Sequence, residues 1–328
     1  MSDELPNFDL PAEVLQLLSQ IPRGQVTTYG DLARALGDDK TRSARWLGEY
    51  LHHHSHHRDC MCHRVIRASG EIGLHVSGDP HVKMKLLARE GISVSASGKV
   101  DLSHLFTQFQ SRRPLEQLRS FQKSLRQDLR QTPLTQFPET FGAVDVAYRE
   151  DGTACGAYLL LDAKTLQVRQ ELTVKMPVSF PYIPGYLTFR ELPVMLELCE
   201  RARTAGLLGD VIFCDGNGQL HPWRAGIATC LGVLLDHPTL GVGKSLLCGS
   251  VRAEDADPAV QSVYDGEEML ARVIRLSANA KPVYISVGHR ITLDQASRMA
   301  QKSFAAHRVP EPIFLVDRLT KLLKTRPD

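Results

Sequence analysis

Apolar residues recur at helical spacing through the first third of the chain. In "PAEVLQLLSQI", Val14, Leu17, Leu18 and Ile21 fall three or four apart, which predicts one helix. A turn through "PRGQVTTYG" leads to a second helix, "DLARALGD", and a third, "RSARWLGEYLHH". Two short helices joined by a glycine-containing turn form a helix-turn-helix pattern, which many helical cores share. The stretch "GISVSASGKVDLS" is small, polar and glycine-containing, and it predicts a boundary near residue 105. From 111 to 131, Leu115, Leu118, Phe121, Leu125 and Leu129 mark an amphipathic helix with a basic face. Thereafter the pattern changes to apolar strands and longer helices. "FGAVDVAYRED" reads as a strand with Asp145 in its middle, "GDVIFCDGNG" as a buried strand ending at Asp215, and "FRELPVMLELCERA" as a helix opening with Glu191. The expectation is a mainly α domain over 1–105 and an α/β domain over 106–328.

Composition changes little in this picture. A chain of 328 residues, 43% hydrophobic and 23% charged, supports two ordinary cores. No apolar run reaches the roughly 18 residues that span a bilayer, and "MSDELPNFDL" lacks the basic and apolar parts of a signal peptide. A cytoplasmic protein with no membrane partner is expected. Seven cysteines then read as reduced thiols rather than a disulfide framework. A net charge of +2 broadcasts no nucleic-acid binding, so any such contact must be local. The basic helix at 111–131 reads first as a solvated face.

Candidate chemistry begins in "HHHSHHRDC" and the following "MCHRV". His52, His53, His54, His56, His57, Cys60, Cys62 and His63 include enough metal-ligand types, but structural zinc sites favour C-x(2–4)-C and a second, distant pair. The spacing here is C-x-C, so the histidine run reads as a polar loop. Cys62, followed by His63, is the better candidate for a reactive thiol.

Together, "IPRGQVTTYGDLARALG", "RSARWLGEYL", "MCHRVIRASGEIG" and "KMKLLAREG" resemble the DNA-binding domain of the O-alkylguanine-DNA alkyltransferases, whose signature is PCHRV. The likeness spans about residues 12 to 92. It implies a winged helix-turn-helix-like domain in which Cys62 takes the alkyl group from a flipped guanine, irreversibly and without a cofactor. It further implies His63 as the base, Glu90 as the carboxylate that orients it, Arg45 as the finger filling the vacated stack, and Tyr29 as the residue turning the phosphate. Met61, His54 and His75 stand where the family has proline, asparagine and tyrosine. Alkyltransferase-like proteins of the same family bind alkylated bases without repairing them but lack the cysteine, so a binding-only module is the alternative.

In the second half, Asp145, Glu191 and Asp215 are singly unremarkable acids, yet three carboxylates on element ends suit a hard cation. "GVGKS" is not a phosphate-binding Walker loop, because Pro238 stands where its first glycine belongs. "VDVAY", "FPYIPGYLTFRE", "DGNGQLHPWRAGIA", "HPTLGVGK" and "PVYISVGHRITLDQA" resemble, in order, the motifs of endonuclease V over about residues 112 to 320. The resemblance implies a ribonuclease H-like fold with a mixed sheet. It also implies cleavage of the second phosphodiester bond 3′ to deoxyinosine with Mg2+, for which Mn2+ substitutes. Asp145, Glu191 and Asp215 match the metal ligands, His289 and Lys244 the other catalytic positions, and Pro181, Tyr182, Ile183 and Pro184 a wedge entering the DNA. Gly216, Gly218, Leu187 and Gly226 would line a pocket for the flipped base, with His221 nearby. Trp223, Cys230 and Gly243 depart from the family pattern. The whole reads as a bifunctional DNA repair enzyme acting on deoxyinosine and O-alkylguanine in DNA, with inosine RNA as the alternative nuclease substrate.

Overall fold

The computed structural model describes residues 5–55, 60–73, 75–253, 261–277 and 280–326. His56 and His57 of the histidine run lie outside them. The chain divides into two compact units, one comprising Leu5–Ser120 with Ser179–Leu187, the other Phe121–Val178 with the chain from Thr188 onward.

The first unit is mainly helical, as the spacing of its apolar residues predicts. Helix α1 (Leu10–Ser19) starts where the Asp9 side chain accepts from the Ala12 amide at 3.0 Å, with Pro11 in the first turn, and it buries Leu10, Val14, Leu17 and Leu18. Strand β1 (Thr27–Thr28) runs into α2 (Tyr29–Ala35), whose start is a reciprocal capping box between Thr28 and Asp31. The chain turns at Gly37, in the left-handed region at φ +93°, and continues to α3 (Ala44–His53). A single 3-10 turn, Met61–Arg64, leads to β2 (Val65–Ile66), which pairs in parallel with β1. Helix α4 (Pro80–Arg89) follows, capped by Asp79. Bridges Glu71↔Lys99 and Val94↔Val100 form the wing, over a small core of Val26, Ile66, Ile72, Leu87, Ile92 and Val100. This is the expected helix-turn-helix domain.

Helix α5 (Pro114–Leu125) is shorter than the 111–131 pattern suggests. Arg113 sits at φ +52°, which stops helix extension backwards, and Pro114 fits a first helical position. After Leu125 the chain tightens into a 3-10 turn, Arg126–Asp128.

The second unit is built on strands β3 (Thr140–Tyr148), β4 (Thr153–Asp162) and β5 (Val168–Pro177), helix α6 (Leu187–Thr204), strand β6 (Val211–Asp215), helix α7 (Ile227–Leu235) and strand β7 (Thr239–Gly243). Strands β8 (Ser250–Ala253), β9 (Gln261–Asp265), β10 (Glu268–Ile274) and β11 (Val283–His289) follow, then helices α8 (Leu293–Lys302) and α9 (Glu311–Thr325). The sheet order is β5-β4-β3-β6-β7-β11-β10-β9-β8. The central β3, β6 and β7 are parallel, and the flanking pairs are antiparallel, so the sheet is mixed as expected.

Strand alternation sorts side chains between two helical layers. Phe141 and Ala143 of β3, Val211 and Phe213 of β6, and Leu240 and Val242 of β7 point to the face covered by Ile313 and Val316 of α9 and by Ala296, Met299 and Ala300 of α8. On the opposite face Gly156 of β4 admits Val194 and Leu198 of α6, where any side chain would collide with both. Among the described residues, no helix is long and apolar enough to cross a membrane.

Candidate functional site

Continuing the same alternation by one step past the apolar core reaches the acids. On β3 the sequence Phe141, Ala143 leads to Asp145, and on β6 Val211, Phe213 leads to Asp215. The pairing Val144↔Cys214 puts both carboxylates at the same level on adjacent strands. From α9, Asp317 joins them: one oxygen of each of Asp145, Asp215 and Asp317 lies within 4.8 Å of the others. The Thr320 hydroxyl donates to Asp145 Oδ2 at 2.7 Å, fixing its rotamer. Lys244, just beyond β7, donates from Nζ to Asp215 at 2.5 Å and lies 3.6 Å from Asp317.

Such a cluster is electrostatically unstable by itself. Burial, then the charge of Asp215, pushes the Asp145 carboxyl up to about 7. Burial followed by the charges of Asp145 and Asp215 pushes Glu191 up to about 8, and burial raises Asp215 against the opposing pull of Lys244. Glu191, on α6, therefore belongs to the same electrostatic site. Buried carboxylates that repel one another form a donor set suited to a hard, oxygen-seeking cation.

The sign of the linkage is definite. Because the folded carboxyl of Asp145 holds its proton to about 7, above its ordinary value of 3.8, its stabilising contribution is complete below that ordinary value and is lost as pH rises through about 7. Asp145→Asn removes the charge that the fold resists. Without metal at pH 8 the variant should melt several degrees above wild type, with the gap closing towards pH 5. Thermal scans across pH check this, and a variant melting lower at pH 8 would contradict it.

In the first unit, Cys62 lies in the 3-10 turn at the end of the α3 connection and is 5% exposed. His63 Nε2 is 2.9 Å from Glu90 Oε1, and Glu90 also receives Arg64 through Nε at 2.8 Å and Nη2 at 2.7 Å. Burial would raise the Glu90 carboxyl, but hydrogen bonds from Arg64 and His63 outweigh it and hold the group below its ordinary value. His63 is thus oriented by a carboxylate anchored on both sides, as the pairing of His63 with Glu90 requires. Lys83 is fully buried, donates to the Val65 carbonyl at 2.6 Å, and is pushed down to about 8 by burial.

Cys62 has a second thiol neighbour. The hydrogen bond with Cys60, then burial, raises Cys62 well above an ordinary thiol, while the same bond, together with His54, lowers half-buried Cys60 to about 4 despite the opposing effect of its own burial. The pair holds its first negative charge on Cys60, the more exposed member and the one 3.1 Å from His54 Nε2. Tyr29 and Arg45 occupy α2 and α3, with Arg45 exposed and the Tyr29 hydroxyl near Gly73.

The endonuclease V family profile matches residues 123–318, the span that carries the acid cluster. The chain belongs to the endonuclease V family. Residues 9–92 match the DNA-binding domain of 6-O-methylguanine DNA methyltransferase. A bifunctional methyltransferase/endonuclease of Picrophilus torridus is 34% identical over 254 residues, covering 76% of this chain and 78% of that protein. Among solved structures, the catalytic domain of human endonuclease V superposes with a TM-score of 0.58 at 27% identity, covering 65% of this chain and 97% of that one. A Ciona intestinalis endonuclease V, solved with DNA containing an inosine, shares the fold with a TM-score of 0.58 at 24% identity, over 66% of this chain and 98% of that one. The protein is therefore a bifunctional DNA repair protein: a metal-dependent endonuclease V joined to an alkyltransferase-like DNA-binding domain.

Not every expected residue of the endonuclease V half joins the acids. His289 does not. It pairs with Thr239 at the start of β7, whereas Asp215 pairs with Val242 near its end, roughly 10 Å along the sheet at 3.3 Å per residue. A register shift between Val287 and His289 also turns its side chain towards Gly232 of α7, away from the α9 face. There His289 Nε2 lies 3.2 Å from Asp236, and its Nδ1 accepts from the Arg130 amide at 3.3 Å. His289, expected at a catalytic position, thus lies apart from the acid cluster, held by Asp236 and the Arg130 amide.

Of the expected wedge, Tyr182 is 63% exposed and Pro184 is exposed, but Ile183 is completely buried and is not available to enter DNA. Leu187 is 39% exposed. The glycines approach protein rather than open space on the side where a Cβ would stand. Gly218 meets the Val287 carbonyl, Gly226 meets the Asn217 and Gly218 carbonyls, and Gly216, at φ +148°, meets Ile227. His221 is held beside Trp223, with ring centroids 5.2 Å apart.

Three functional positions escaped the sequence reading. Asp317, in "FLVDRLT", is not singled out from the sequence, yet it falls four residues after buried Ile313 and next to buried Val316, on the edge of the stripe that faces β3. Lys83 and Arg64, both buried, are likewise not singled out from the sequence. Nothing in their local pattern marks them as buried.

Proposed function

We propose that the C-terminal half nicks DNA at the second phosphodiester bond 3′ to deoxyinosine, using Mg2+ with Mn2+ as a substitute. Asp145, Asp215 and Asp317 would hold the ion, with Glu191 completing the oxygen set. The observation that carries this reading is the convergence of half-buried, mutually repelling carboxylates, Asp145 and Asp215 at one level of β3 and β6 with Asp317 from α9. Once bound, such an ion neutralises the carboxylates, polarises the scissile phosphate and acidifies its own water. Thr320 keeps Asp145 in one rotamer. Lys244, already paired to Asp215, supplies the mobile positive charge that moves to a phosphate oxygen when substrate displaces it. Tyr182 offers an exposed ring for stacking on a base. The Ciona protein was solved with DNA containing an inosine followed by a ribo-adenosine, which supports inosine as the lesion.

We further propose that the N-terminal half removes alkyl groups from O-alkylguanine. The Cys62 sulfur would attack the alkyl carbon in line, forming the S–C bond as the bond to the guanine oxygen breaks, with no cofactor. His63, oriented by Glu90, takes the thiol proton, Tyr29 engages the phosphate, and Arg45 fills the gap left by the flipped base. The functional modules are assigned to 1–105 and 106–328. A second reading, in which this half binds alkylated DNA without transfer, is favoured by the hydrogen-bonded pairing that raises the Cys62 thiol and lowers that of Cys60.

That coupling gives a test. Cys60→Ser removes the strongest influence raising Cys62, and each unit recovered multiplies its thiolate fraction about tenfold. In metal-free buffer at pH 7.5, roughly tenfold faster carbamidomethylation of Cys62 by iodoacetamide is expected, read by peptide mass. An unchanged rate would mean that Cys60 does not suppress Cys62. Both activities are tested by presenting wild type with duplexes containing one deoxyinosine or one O-methylguanine. A nick at the second bond and a methylated Cys62 are expected. Cleavage elsewhere, or no methylated Cys62, would reject the corresponding half.

A further inference from the structure

Of the histidine run read as a polar loop, His52 and His53 form the last turn of α3, His54 is buried at its end, and His56 and His57 lie outside the described residues. His54 Nε2, Cys60 Sγ and Cys62 Sγ lie within 4.8 Å of one another, with His54 8% exposed, Cys62 5% exposed and Cys60 half-buried. The C-x-C spacing argued against a zinc site on sequence grounds. In space the 3-10 turn Met61–Arg64, entered through Cys60, brings both sulfurs to the same side, and the end of α3 supplies the imidazole.

We propose that His54, Cys60 and Cys62 form a site for a thiophilic divalent cation of the Zn2+ class, and that its occupancy withdraws Cys62 from reaction with electrophiles. Donor chemistry is the first support, because two sulfurs and one imidazole nitrogen are ligands that zinc favours. Geometry is the second. Bonds of about 2.3 Å to sulfur and 2.0 Å to nitrogen at tetrahedral angles require donors roughly 3.5–3.8 Å apart, so the present spacing closes with shifts of about an ångström or less.

The third support is the tautomer. His54 Nδ1 lies 3.0 Å from the Leu51 carbonyl, an acceptor only, so Nδ1 donates there and Nε2 is the nitrogen that faces Cys60 Sγ at 3.1 Å. Metal-binding histidines are characteristically held this way, the far nitrogen donating to a backbone carbonyl. Charge is the fourth. Two thiolates within 4.8 Å of each other repel, and a dication between them would neutralise the pair. Three protein ligands leave one position open, on the half-exposed Cys60 side.

Binding itself does not depend on alkyl transfer; only the consequence for repair rests on Cys62 being the alkyl acceptor. Metal binding and methyl transfer are therefore measured separately. The probe is Co2+ added to the full chain in excess Mg2+, so that the carboxylates of the nuclease half are already filled. Thiolate-to-cobalt charge-transfer absorption reports sulfur ligation, which neither carboxylates nor histidines alone produce. One equivalent per chain is expected, displaced by Zn2+. Cys60→Ser and His54→Asn should each weaken Co2+ binding at least about 100-fold, since even partners that only orient a ligand cost 10–100-fold.

Zn2+ should also slow iodoacetamide modification of Cys62 by about tenfold or more in wild type, and leave His54→Asn unprotected. Absence of the charge-transfer band in wild type, or an undiminished band in Cys60→Ser, would overturn the site. Protection of Cys62 that persists in His54→Asn would do the same. Wild type carries the decisive measurement, so a poorly folding variant does not spare the proposal. Methyl transfer that fails in metal-free buffer, beside an intact cobalt signal, would sink the alkyl-acceptor reading and leave the metal site standing.

Discussion

Asp145→Asn and Asp215→Asn should each lower nicking of deoxyinosine DNA by about a thousandfold or more, equivalent to roughly 4 kcal/mol of lost transition-state stabilisation. The reason is charge as well as ligation. The two carboxylates face each other across adjacent strands and are held partly protonated by burial and by one another, so their shared preference is for a cation between them. Removing one leaves a weaker donor set and an unbalanced Lys244, which already reaches Asp215 and Asp317. Loss of activity through unfolding is separable, because Asp145→Asn relieves a buried charge and is expected to raise the melting temperature. Binding to deoxyinosine duplex should persist in both variants, measured in Ca2+ to suppress cutting. Nicking within tenfold of wild type in either variant would remove that aspartate from the site.

Cys62→Ala should abolish methyl acceptance from O-methylguanine DNA altogether, because stoichiometric transfer has no residual route once the acceptor sulfur is gone. Cys60 does not replace it. Although Cys60 carries the lower thiol value, it ionises readily because hydrogen bonds from Cys62 and His54 stabilise its charge, and a stabilised thiolate is a poorer nucleophile. His63 stands in the 3-10 turn with Cys62, and its partner Glu90 sits at the C-terminal end of α4. Methyl acceptance by Cys62→Ala, located on Cys60 by peptide mass, would reverse the assignment. Nicking of deoxyinosine DNA should be unaffected by the change.

Much of this was legible because local pattern and tertiary role agree. The apolar spacing of α1 to α3, the capping residues Asp9 and Thr28, and the alternation leading to Asp145 and Asp215 all say in sequence what packing then uses. Other features depend on contacts between distant segments. Asp317 becomes part of the acid cluster only because α9 lies across β3, and no local rule says which strand a helix will cover. His289 sits in a strand whose alternation would keep it with Val287, but one register shift reverses its face. The C-x-C spacing looked wrong for a metal because zinc rules are written for ligands on separate turns, whereas here the sulfurs converge through one 3-10 turn against the end of α3. Ile183 shares a motif with Tyr182 and Pro184, yet side chains on successive residues point differently, and it is the one turned inward.

The central claim is that one chain carries two chemistries on separate residues. The most direct test is to incubate Asp145→Asn, in metal-free buffer followed by Mg2+, with a duplex bearing both deoxyinosine and O-methylguanine, and to map the cysteine peptides by mass. The account predicts one methyl group on Cys62 of a protein that leaves the duplex unnicked. An unmodified Cys62, with the methyl on Cys60 or on no cysteine, would contradict it.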